Sequence, residues 1–312
     1  MKKLLNIKFS SFLFCILCFV FSVSCTNEQK TSGTGKLKIV CTTGMIADAV
    51  DNITKGEVEV IALMGPGVDP HLYKATQGDL QRLQEADIIF YNGLHLEGKM
   101  GELFQKLESR KKVVAVSKDM NTAGLRKPAG FDGNYDPHIW FDVKLWETAV
   151  KTIGNTLQET DSIHAHLFAK NTDIYITRLD SLDSWVRTEI ASIPEDQRVL
   201  ITAHDAFGYF GEAYKIEVKG LQGISTVSDF GLHDVSTLVN MICDRKIKAI
   251  FIETSVSEKS INAVVEGCKS KGHQVLIGGS LYSDAMGEKG KPEGNYIGMV
   301  RSNVGKIVQA LK

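Results

Sequence analysis

Three histidines and one aspartate stand where the chain could do chemistry. His71 ends Gly65-Pro66-Gly67-Val68-Asp69-Pro70-His71, and His138 lies in Asp136-Pro137-His138-Ile139-Trp140-Phe141. His204 lies in Thr202-Ala203-His204-Asp205-Ala206-Phe207, and Asp284 in Leu281-Tyr282-Ser283-Asp284-Ala285-Met286-Gly287. All four read as positions between regular elements, where binding groups concentrate. Three imidazole nitrogens and a carboxylate, if they converge, fully surround a borderline divalent cation. Proline before His71 and before His138 keeps Asp69 and Asp136 extended and stiffens the approach of each ligand candidate. Taken singly, a histidine more often serves as a hydrogen-bonded core or surface residue. No compact motif such as His-Glu-x-x-His ties the four together, so convergence depends on the fold.

The elements that must position them alternate. Strands are expected over residues 37–42, 57–63, 87–91 and 112–116, with helices near 45–52, 76–86 and 99–109. The pattern restarts with strands at 198–202, 249–252 and 274–277, and helices near 206–214, 234–246, 257–271 and 293–311. Such alternation predicts an α/β protein of two (β/α) lobes with parallel sheets. His71 and His138 belong to the first half, His204 and Asp284 to the second, so a shared ion would lie in the cleft between lobes. His71 and His204 each follow an expected strand, at the carboxyl ends where α/β sheets bind ligands.

Between the halves the pattern changes. Residues 143–190 contain no proline and only Gly154. Ile163, Leu167, Ile174, Leu179, Leu182, Val186 and Ile190 recur mostly three to five apart, the spacing of one helical face. Pro194 ends it. The reading is one long connector helix over 161–191, about 45 Å from end to end. Its stiffness predicts small lobe motions. The lobes are then residues 37–160 and 192–312.

The N-terminus carries its own signal. Lys2, Lys3 and Lys8 precede the apolar run Phe12–Phe21, followed by Ser22-Val23-Ser24-Cys25. A basic start, a short apolar core and small residues form an export signal, here residues 1–24. The core falls short of the roughly 20 residues a membrane span needs. Ser22–Cys25 resembles a bacterial lipobox, with Ser22 where the pattern prefers an aliphatic residue. Lipid on Cys25 would tie the chain to the membrane, and polar residues 25–36 would form a tether.

The formal net charge of −1 and the absence of a Lys/Arg stripe exclude a nucleic-acid footprint. Beyond Cys15, Cys18 and Cys25 only Cys41, Cys243 and Cys268 remain, an odd set that reads as small buried residues, with one bridge left open. His164 and His166, two apart on a helix, cannot chelate together. His233-Asp234 sits where a helix begins, which suggests capping, and His95 and His273 carry no motif. Glu253, ending a strand, is a candidate acceptor behind a ligand imidazole.

Taken together, Gly-Val-Asp-Pro-His71, Asp-Pro-His138-Ile-Trp-Phe-Asp, Ala-His204-Asp-Ala-Phe-Gly-Tyr-Phe, Leu221-Gln-Gly-Ile-Ser-Thr and Leu281-Tyr-Ser-Asp284-Ala-Met-Gly carry a resemblance. From about Lys38 onward the chain is similar to the TroA-like metal-binding lipoproteins, the solute-binding proteins of zinc and manganese ABC importers. The resemblance implies two lobes joined by a long helix and four metal ligands at His71, His138, His204 and Asp284. It implies transport rather than catalysis, an ABC permease and its ATPase as partners, a monomer, and a place outside the cytoplasmic membrane. Surface adhesion is a conceivable side role. The nitrogen-rich donor set favours zinc, as does His204 where manganese-dedicated relatives often carry Glu. Against zinc, residues 117–137 lack the His-rich loop of many zinc-dedicated relatives. Manganese is the runner-up. Two alternatives stay open: a zinc hydrolase, which would need an open coordination position and a base, and a haem or siderophore carrier, which would need a wide cleft.

Overall fold

The computed structural model describes residues 35–129, 131, 133–227 and 230–312. The export signal, Cys25 and the tether up to residue 34 lie outside the described residues. Four parallel strands, β1 (Lys38–Cys41), β2 (Glu59–Ala62), β3 (Ile88–Tyr91) and β4 (Lys112–Ala115), order as β2-β1-β3-β4. Ile39, Val40, Ile88, Ile89 and Phe90 are fully or almost fully buried. Apolar runs of this kind suit parallel strands covered on both faces. One face carries α1 (Gly44–Thr54); the other carries α2 (Gln77–Glu85) and α3 (Gly101–Glu108). The start of α2 is set by a capping box between Thr76 and Asp79.

The second half is also α/β, but its strands form two parallel pairs. Strands β5 (Val199–His204) and β6 (Glu217–Gln222) pair in parallel, as do β7 (Ala249–Glu253) and β8 (Leu276–Leu281), and β5 lies beside β7. Helices α7 (Leu232–Arg245) and α8 (Lys259–Ser270) pack one face, while α6 (Gly208–Tyr214) and α9 (Tyr296–Leu311) join the core shared with the first half. Strand β6 is absent from the sequence reading. Its residues Glu-Val-Lys-Gly-Leu-Gln are half polar and half exposed, so no apolar run marks it.

Helices α4 (Val143–Thr160) and α5 (Ala165–Ala191) fill the middle and pack along each other. The connector therefore starts at Ala165 rather than 161. Asp161 accepts hydrogen bonds from the amides of Ile163 and His164, both at 3.1 Å, and breaks the helix there. At 27 residues α5 is about 40 Å long. Its buried face also differs from the expected one. Phe168, Tyr175, Leu179, Leu182, Val186 and Ile190 are buried, whereas Ile163, Leu167 and Ile174 are exposed. One continuous core runs from Ile39 through Trp146 and Leu179 to Leu200 and Ile307. A packed seam of this kind stiffens the joint between halves. Among the described residues no helix is long and apolar enough to cross a membrane.

Candidate metal centre

The two Asp-Pro-His segments deliver their imidazoles by the same local device. Asp69 Oδ1 accepts from the His71 amide at 2.8 Å, and Asp136 Oδ1 accepts from the His138 amide at 3.0 Å. In each, an Asx turn fixes the backbone two residues on, and the intervening proline forbids a helix. His138 then opens a 3-10 turn, Ile139–Phe141, and Asp142 caps α4 by accepting from the amides of Lys144 and Leu145. His204 is the last residue of β5, not a loop residue beyond it. Asp284 follows β8, where Asn303 of α9 pairs with both the amide and the carbonyl of Tyr282 and so pins the chain.

These four side chains meet. One donor atom from each of His71, His138, His204 and Asp284 lies within 4.8 Å of the others, and all four residues are buried. His71 Nε2 and His138 Nε2 are 3.3 Å apart. Asp284 Oδ1 is 3.4 Å from His138 Nε2, and Oδ2 is 3.4 Å from His204 Nε2 and 3.8 Å from His71 Nε2. A tetrahedron with zinc–nitrogen bonds of about 2.0–2.1 Å has edges of about 3.3–3.4 Å. Three of the separations match that edge, and the 3.8 Å between His71 and Asp284 is somewhat wider. Four buried side-chain polar atoms lack a hydrogen-bond partner among the described residues, and three of them are His204 Nε2 and both oxygens of Asp284. A wholly buried carboxylate is costly unless a cation, whether metal ion or imidazolium, shares its site.

Charge at the site is arranged in pairs. Burial pushes His71 down to about 3, so it is neutral. Burial also lowers His138, but the carboxylates of Asp136 and Asp284 outweigh it and raise this imidazole to about 9. His204 follows the same logic more strongly: burial is overcome by Glu253 and Asp284, and it stands well above its ordinary value. Asp284, although buried, is held well below the usual carboxylate range by His204, His138 and His71.

Carboxylates also stand behind the ring nitrogens that face away from the seat. His138 Nδ1 is 2.8 Å from Asp136 Oδ1, and His204 Nδ1 is 2.5 Å from Glu253 Oε2. Glu253 thus sits where an orienting acceptor belongs. The orienting carboxyls of Asp69 and Asp136 escaped the sequence reading, which took both only as stiff backbone. The signal was the tripeptide Asp-Pro-His occurring twice, once before each first-half imidazole. Two of the remaining histidines bond elsewhere: His164 Nδ1 to Asp161, and His273 Nε2 to the carbonyl of Ile247. At the start of α7 it is Asp234, not His233, that caps, accepting from the Gly231 amide at 2.8 Å. Cys41, Cys243 and Cys268 are free, so the bridge left open in the sequence is not formed.

Residues 39–310 match the family model of ZnuA, zinc-uptake complex component A, periplasmic. The chain is 53% identical over 287 residues to the manganese-binding lipoprotein MntA of Bacillus subtilis, covering 92% of this chain and 94% of that one. It is 49% identical over 284 residues to the zinc-binding protein TroA of Treponema pallidum, covering 91% and 92%. The solved structure of periplasmic zinc-binding TroA from Treponema pallidum superimposes with a TM-score of 0.87 at 50% identity, over 89% of this chain and 99% of that one. Fold, donor set and relatives agree, and the chain belongs to the ZnuA family of metal-binding solute-binding proteins of ABC importers.

Proposed function

We propose that the chain captures one zinc or manganese ion at His71, His138, His204 and Asp284 and hands it to its ABC permease. The buried, unpartnered carboxylate of Asp284 facing three imidazoles carries this reading. A divalent cation satisfies all these orphaned atoms at once. Four protein donors complete a tetrahedral shell and leave no position for the water that a catalytic zinc holds open. The donors stand with no room between them for a haem or siderophore. Zinc binds such a nitrogen-rich set more tightly than manganese, while cellular supply decides which ion is carried.

The proposed lobes are residues 37–160 and 192–312, joined through α5 (Ala165–Ala191). Each lobe supplies two donors, so parting them removes one pair from the other and frees the ion. Lipid on Cys25 holds the monomer at the outer face of the membrane, beside the permease. His204→Ala leaves the fold intact and lowers affinity for zinc at least about tenfold in competition with a chelator. Equal affinity in variant and parent ends the assignment.

A further inference from the structure

Asp69 holds His71 by its backbone amide and Asp136 holds His138 by amide and ring, and both carboxylates are themselves held from the second half. Asp69 uses Oδ1 for the His71 amide and Oδ2 to accept from Thr226 Oγ1 at 2.5 Å. Thr226 is in turn fixed to the end of β6, where its carbonyl accepts from Gln222 Nε2 at 2.8 Å, and Gln222 pairs in register with His204. Asp136 uses Oδ1 for His138 and Oδ2 for Arg126 Nη1 at 2.6 Å. Arg126 Nε reaches across to Glu212 Oε1 on α6 at 2.8 Å. Tyr209, also on α6, accepts from the Arg126 amide at 3.1 Å and donates to the Asp136 carbonyl at 3.0 Å. Gly208 makes room for this clamp: a Cβ there would sit 1.3 Å from Arg126 Nη1.

The support behind His204 is different in kind. Glu253 and His204 end neighbouring strands β7 and β5 of the same half, so their bond does not cross the cleft. Parting the halves would leave His204 aimed while withdrawing Thr226 from Asp69 and Glu212 and Tyr209 from the Arg126–Asp136 pair.

We infer that Thr226 and Glu212 are positioning residues that set the lifetime of the bound ion, by making closure of the halves and orientation of His71 and His138 one event. The inference rests on the proposed function. On opening, His71 and His138 lose their aim together, and the ion departs with Asp284 and His204 still pre-set for the next one. Neither Thr226 nor Glu212 touches the seat, and the Glu212 side chain is 68% exposed, so its replacement leaves the core alone.

The test is release of zinc into excess chelator, followed by stopped flow, for the parent, Thr226→Ser, Thr226→Val, Glu212→Gln and the Val/Gln double variant. Thr226→Val and Glu212→Gln each speed release about threefold to tenfold, as the net loss of one ordinary hydrogen bond does. Thr226→Ser, which keeps the hydroxyl, releases at the parental rate, and the double variant exceeds either single one. Melting of the metal-free chain changes little, because the affected bonds serve the closed form. Parental release rates in both Thr226→Val and Glu212→Gln overturn the inference while the function stands. A parent that binds no zinc or manganese removes both.

Discussion

Glu253 grips His204 twice: Oε1 accepts from the backbone amide at 2.9 Å and Oε2 from ring Nδ1 at 2.5 Å. The double grip fixes where the ring lies and keeps a proton on Nδ1. Once an arriving ion displaces the second proton, the lone pair of Nε2 is directed at the seat. Glu253→Gln keeps the size but turns one end into a donor that faces Nδ1–H. Zinc affinity is expected to fall about 10- to 100-fold, the usual effect of removing such an acceptor. Competition with a chelator measures it, and an unchanged affinity would make Glu253 an ordinary strand-end carboxylate.

Gly220 is required by its neighbours. A Cβ there would lie 2.4 Å from the Asp205 amide nitrogen and 2.6 Å from the carbonyl carbon of His204. Both are backbone atoms and cannot rotate away, so β5 and β6 must separate just where His204 is placed. Gly220→Ala should cost about 1–3 kcal/mol of stability, as overpacking does, and should weaken metal binding as well. Thermal unfolding with and without zinc reads both effects; a full parental response to zinc would contradict it.

How much of this was legible beforehand varies with the physics involved. Among the described residues, the alternation of apolar runs and helical faces located seven of eight strands; β1, β3, β5 and β7 are mostly buried and write themselves as apolar runs, and β2, β4 and β8 keep β-branched and apolar runs although partly exposed. The polar, half-exposed β6 left no such trace. The connector was visible as a proline-free stretch, yet Ile163 and Ile174 were assigned to its buried face while Phe168 and Tyr175 took that place. A 3.6-residue period allows more than one stripe when apolar residues are frequent. His71, His138, His204 and Asp284 stood out by residue type and by the resemblance to known metal carriers. The roles of Arg126, Tyr209, Glu212 and Thr226 did not, although Tyr209 and Thr226 lie in the resembling strings, since bonds between residues 83 to 157 positions apart leave no local pattern.

Glu97 shows how a buried carboxylate can serve the site from a distance. It accepts from Thr42 Oγ1 at 2.7 Å and from the amides of Asn92 and Gly93 at 2.7 and 3.2 Å. It thereby holds a turn in which Gly93, Leu94 and His95 all have positive φ. Asn92 in turn donates its side-chain amide to the carbonyl of Pro137, next to His138. Glu97→Ala strands two buried amides and should cost about 2–4 kcal/mol, measured by denaturant unfolding of the metal-free chain. A loss below 1 kcal/mol would mean that water replaces the carboxylate at no cost.

The protonation pattern of the empty seat dictates how binding responds to acid. His138, raised to about 9, and His204, raised well above its ordinary value, are both protonated at pH 7 before the ion arrives. His71, lowered to about 3, is already neutral. A cation therefore expels about two protons, from His138 and His204, and none from His71. Apparent affinity should rise about a hundredfold per pH unit between pH 5.5 and 8, a slope of two. Raised folded-state values also mean that both imidazolium groups stabilise the metal-free chain below pH 6.5, and that the His138 contribution fades as pH climbs through about 9. The metal-free chain should thus melt at lower temperature at pH 9 than at pH 6.5, while the zinc-stabilised increment grows over the same range. Calorimetry in buffers of different ionisation heat counts the protons directly. A count near three would place a proton on His71 as well, and a count near zero would mean that neither imidazole is charged in the empty seat.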